Sequence, residues 1–173
     1  MRIALHNLWV EHVLWKSQYI VAAEGDHPDA SFAEERLMKN QEDISNAIKQ
    51  FYGEQAGNQL TSQLRDHIII AVDLLEAAKA RNNTAAEQIE RKWYSKADEI
   101  ATFLSEANPN CTKHDLSSMV NEHLSLTKTE AVARLTGPHA ADVITFDALY
   151  QQAVLIAYEF TVGTVNQFSE RFV

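Results

Sequence analysis

His12, His67 and His123 are the residues whose type and spacing point most directly to chemistry. Each follows an acid (Glu11, Asp66, Glu122), and each falls on an apolar seam. In the first case the seam is Leu5, Leu8, His12, Trp15, Tyr19; in the second it is Leu60, Leu64, His67, Ala71, Leu74. Steps of three and four place these residues on one face of a helix, so the imidazoles are expected to point inward. A buried imidazole is costly unless it is hydrogen-bonded or ligated. Helical bundles build metal sites from inward His and Glu/Asp on facing helices. Imidazole with carboxylate suits Zn, Fe or Mn. Asp43 and Glu99 each precede a core Ile (Ile44, Ile100) and are the carboxylates best placed to join. The expected ligand set is therefore His12, Asp43, His67, Glu99 and His123. The competing expectation is three core histidines satisfied by neighbouring acids or backbone. An acid and a His adjacent on a helix point about 100° apart, so Glu11, Asp66 and Glu122 do not chelate one ion with their own histidine. They are either groups that orient an imidazole on another helix or boundary carboxylates.

Other residues carry weaker signals. Trp9, Trp15, Trp93, Tyr94, Tyr150 and Tyr158 are candidates for a pocket lining, though aromatics at helical spacing usually form core. Gln151-Gln152 lies in the most apolar stretch of the chain and needs partners if buried. His6, His27, His114 and His139 fall at helix starts or turns and are given no role. Neither an activated nucleophile nor a Gly-rich phosphate loop is apparent.

The elements that must position these residues are helices. Of 173 residues only 5 are Gly and 3 are Pro, too few turn formers for an all-β fold of this length. Six helical segments are expected. They run from about Arg2 to Ala23, Ser31 to Tyr52, Asn58 to Ala80, Thr84 to Ala107, Thr112 to Leu135, and from Gly137-Pro138 almost to the end. Ser31 with Glu34, Thr84 with Glu87, and Thr112 with Asp115 have capping-box spacing. Short links between segments of matched length predict an all-α, up-and-down bundle in one domain, 1–173. A four-helix bundle with extra segments is the alternative. The last segment, with Ala153 to Tyr158 unbroken and apolar, is expected at the centre.

An internal repeat connects the segments. Residues 53–79 align with 109–135 at a shift of 56, pairing Leu60 with Leu116, Leu64 with Val120 and Asp66-His67 with Glu122-His123. Leu74 meets Glu130. The same shift pairs Asp43-Ile44 with Glu99-Ile100, and a shift of 55 pairs Glu11-His12 with Asp66-His67. The third unit is degenerate: Ala153-Val154 stands where the acids would recur.

The net charge of −9 disfavours nucleic acid. The lone Cys111 excludes an internal disulfide and fits a reducing compartment. His6, Glu11, His12 and Lys16 interrupt the apolar N-terminus, against a signal peptide or membrane span. A cytoplasmic protein that does not engage membranes is expected.

Glu11-His12-Val-Leu-Trp15, with inward His and acids repeated on later helices, resembles the broad group of bacterial ferritin-like and haemerythrin-like helical bundles. The run Asn40-Gln-Glu-Asp-Ile44 is similar to other bacterial helical proteins. The metal-binding habit of that group implies His12, His67, His123, Asp43 and Glu99 as candidate ligands. The expected function is thus metal binding. The alternative is a metal-free structural or protein-interaction module, in which case a homodimer or a protein partner is expected. An open coordination position on a bound metal would suffice for enzymatic activity.

Overall fold

A computed structural model describes residues 1–137 and 139–172. Among these described residues it is all-helical, with five α-helices: α1 (Arg2–Glu24), α2 (Ala30–Lys79), α3 (Asn83–Ala107), α4 (Lys113–Thr136) and α5 (His139–Gln167). A 3₁₀ turn (Ser169–Arg171) follows α5. These five helices differ from the six expected segments in that the second and third join across a kink in the one element α2. Gly53 interrupts α2 with φ 85° and ψ 167°, far from helical values. The two arms, 30–52 and 54–79, fold back on each other. A straight helix would hold Glu42 and Arg65 roughly 35 Å apart, yet their side chains approach to 3.8 Å. Ile44 likewise packs in one cluster with Leu60 and Leu64. A glycine is needed at 53 because side chains rarely adopt that φ.

Local signals set the other ends. Thr112 Oγ1 accepts from Asp115 N at 3.1 Å and caps α4 as expected. At α3 the cap is Asn82, which accepts from Ala85 N, so Thr84 lies inside the helix. The N-cap of α2 is Asp29, and Ser31 lies past it. α4 ends at Gly137 in the left-handed conformation, a common C-terminal stop.

Consecutive helices pack side by side, and α5 returns to α1, which closes the ring. Val13 of α1, buried against Leu149 and Ala153 of α5, forms that closing seam. α5 is therefore a member of the wall, not a central helix. Its inner face buries Leu149, Ala153, Ile156 and Ala157, while Ile144, Leu155 and Tyr158 are exposed. Among the described residues, no helix is long and apolar enough to cross a membrane.

Candidate functional site

The ring encloses a cavity of about 80 Å³, and every helix contributes to its walls. Leu5 and Trp9 come from α1, Ile44 and Ile48 from the first arm of α2, and Leu60 and Leu64 from the second. Ile100 and Phe103 come from α3, Leu116 and Met119 from α4, and Ile156 and Phe160 from α5. The lining is overwhelmingly apolar. The main polar exceptions are His12, His67 and His123, which all face this one cavity, with Tyr52, Asn108 and Thr164 at other points of the wall. Trp9 stacks on Phe160 with ring centres 5.9 Å apart, which stiffens the wall beside His12.

The three imidazoles come from different elements: α1, the second arm of α2, and α4. Each is nearly inaccessible to solvent. The rings of His12 and His123 lie 5.4 Å apart, and His67 stacks on Trp93 at 5.4 Å. Burial holds all three in the neutral form. His12 is pushed well below its ordinary value by burial, then by His123, Lys16 and His67. His67 is pushed down to about 4 by burial, with Lys96 adding to it. His123 is pushed down to about 3 by burial and Lys16, against a smaller opposing hydrogen bond to Gln152. A neutral imidazole keeps one nitrogen free to accept a proton or a metal.

Glutamine side chains hold two of the rings. His123 Nδ1 lies 2.8 Å from Gln152 Oε1, and Gln152 Nε2 donates to the Met119 carbonyl at 2.7 Å. His12 Nδ1 lies 3.1 Å from Gln41 Nε2, which also donates to the Leu37 carbonyl. Asn40, fully buried, donates to the Leu8 carbonyl beside them. His67 Nδ1 is buried and, among the described residues, has no partner. Gln152 stands out in the sequence by its place in an apolar helix, whereas its neighbour Gln151 is exposed. Gln41 and Asn40 gave no signal as polar support, because they read as ordinary polar positions.

The two carboxylates expected as ligands are not at the cavity. Asp43 pairs with Lys39 at 3.5 Å and Arg36 at 3.6 Å on the surface side of α2. Glu99 pairs with Lys96 at 2.7 Å and its side chain is 55% exposed. The step from a core Ile to the residue before it turns the side chain off the buried face. Glu11 pairs with Arg36, Asp66 with Lys96, and Glu122 is exposed, so these three are boundary acids. Among the described residues, no three His, Cys, Asp or Glu side chains stand together in a group that would hold an ion.

One turn beyond His12 lies Lys16, buried in an ion pair with Glu130. Thr127 is 3.5 Å from the same ammonium. Lys16 lines a second cavity of about 140 Å³, on whose wall Trp93 sits beneath His67. A signal for this pair existed: Glu130 stands where the aligned unit has Leu74.

No family model matches the chain, and no curated protein or solved structure matches it either.

Proposed function

We propose that this chain is a ligand-binding helical bundle that holds a small uncharged molecule inside the ring, against the imidazoles of His12, His67 and His123. The observation that carries this is their placement: three neutral imidazoles interrupt an otherwise apolar cavity lining. Such a pocket, apolar with a few convergent polar groups, is the usual form of a small-molecule site. An ionic ligand is disfavoured, since the imidazoles are uncharged and, among the described residues, no Asp, Glu, Lys or Arg lines the cavity. The 55–56-residue repeat, if it reflects duplication of one hairpin, accounts for a histidine at the same depth of three helices. The test is xenon binding followed by ¹²⁹Xe NMR. The xenon resonance is expected to shift with protein concentration, and the shift is expected to disappear in Ala56→Phe, which fills the cavity. Equal shifts in both proteins would contradict the proposal.

Binding of Zn, Fe or Mn at the same imidazoles is a second reading, supported by a different observation. His67 Nδ1 is buried without a partner, a state that ligation would relieve. Its ligands would be His12, His67 and His123, without Asp43 or Glu99. Three His with an open fourth position is a known catalytic zinc arrangement. It requires the side chains to draw together from their present positions. Elemental analysis of protein never exposed to chelator tests it. Stoichiometric metal that falls in His67→Ala supports it, and trace metal in both proteins contradicts it.

A further inference from the structure

The orientation of one amide defines the chemistry the cavity selects. Gln152 Nε2 donates to the Met119 carbonyl at 2.7 Å, so its Oε1 must be the atom turned toward His123. A carbonyl oxygen only accepts, so His123 donates to it from Nδ1 across 2.8 Å. A neutral imidazole has a single N–H. Its Nε2 is therefore a bare lone pair, and among the described residues it has no hydrogen-bond partner. His12 is fixed the opposite way: its Nδ1 faces the Gln41 amide nitrogen, which only donates, so its single N–H sits on Nε2. The His67 Nδ1 has no partner among the described residues, so His67 can present a donor or an acceptor to the cavity.

We infer that Gln152 is a positioning residue that makes His123 Nε2 a fixed acceptor, and that the cavity consequently selects neutral ligands ending in a hydroxyl. A hydroxyl donates to His123 and can still accept from His12 or His67. A ketone or ether gives His123 nothing and leaves its lone pair unmatched in an apolar wall, which is costly. Ammonium and carboxylate groups meet no counter-charge there. The body of the ligand must be apolar and compact: 80 Å³ has room for roughly five to eight non-hydrogen atoms. This inference rests on the ligand-binding function proposed above and specifies the ligand class of the same site.

The probes are cyclopentanol, cyclopentanone, cyclopentane, cyclopentylammonium and cyclopentanecarboxylate, titrated into the intact protein at pH 8 and followed by NMR. Cyclopentanol is expected to bind about tenfold tighter than cyclopentanone, the difference of roughly one good hydrogen bond. The two ions are expected not to bind. Gln152→Leu is expected to lose the alcohol preference while still admitting cyclopentane. Gln152→Glu, which keeps an acceptor facing Nδ1, is expected to retain it. Should Gln152→Leu fail to fold, long-range ¹H–¹⁵N spectra of the wild type decide: His123 is expected as the Nδ1–H tautomer. Finding His123 as Nε2–H, or equal binding of alcohol and ketone, overturns the inference while leaving the cavity site intact. Exclusion of cyclopentane and of xenon alike would instead remove the ligand-binding function, and the inference with it.

Discussion

At the scale of residues, the interior is held by polar groups that water cannot reach, and acid is the agent that exposes this. His67 and His123 titrate near 4 and 3 in the fold, against about 6.5 in an unfolded chain. The folded pKa lies below the unfolded one, so between the two the unfolded chain binds more protons. Stability is then complete above pH 6.5 and falls as pH drops from 6.5 toward 4 and below. Each such histidine adds about 1.4 kcal/mol per pH unit to that slope. Urea unfolding at pH 7, 6 and 5 is expected to show the loss, with a shallower slope in His67→Gln. The same slope in wild type and variant would contradict it. The Lys16–Glu130 pair makes a second prediction. Removing one partner by Lys16→Met strands a buried carboxylate and is expected to cost about 3–5 kcal/mol. The double variant Lys16→Met, Glu130→Leu is expected to recover most of it. A double-mutant cycle by urea unfolding measures this, and additive losses would show that the pair is not coupled. The inward histidines were legible in the sequence because a polar residue on an apolar seam stands out. Asp43 and Glu99 misled because an acid next to a core Ile reads the same whether it faces in or out. Only the rotation of the helix about its axis separates those cases.

At the scale of elements, the ring depends on α2 reversing direction. The sequence predicts a turn at 53–57 between two helices, and of the three expected capping boxes the one at Thr112 forms. A single residue, Gly53, with non-helical φ and ψ, carries the reversal. A Cβ at Gly53 meets no other atom, so substitution there tests backbone conformation alone. Gly53→Ala is expected to cost about 1–3 kcal/mol from the strained φ, by urea unfolding. A neutral effect would mean that the turn tolerates a side chain and that another feature fixes the hairpin. Gly57 differs, since a Cβ there would run into the Lys49 side chain of the opposite arm. The close approach of the arms is thus set by a missing side chain as well as by a turn. At Ser31 and Thr84 the N-cap falls upstream, at Asp29 and Asn82; the Asn82 side chain accepts from Ala85 N, whereas Asp29 makes no side-chain cap bond.

At the scale of the whole molecule, six helical arms in a ring leave a hollow that a four-helix bundle would fill with side chains. The all-α class was legible from composition and period. The hollow was not, because each helix shows the same pattern whether its apolar face meets a neighbour or an empty centre. The apolar character of the last segment pointed to a central helix. Its place in the wall, with Ile144, Leu155 and Tyr158 outward, shows that apolarity alone does not fix depth. The central claim is that three distant histidines share one binding cavity, and selective ¹⁵N-histidine labelling tests it most directly. Cyclopentanol is added at pH 8 and all seven imidazoles are followed. The signals of His12, His67 and His123 are expected to shift together along one saturation curve, while those of His6, His27, His114 and His139 stay in place. Shifts confined to the latter four, or shifts of the first three along separate curves, would contradict a shared site.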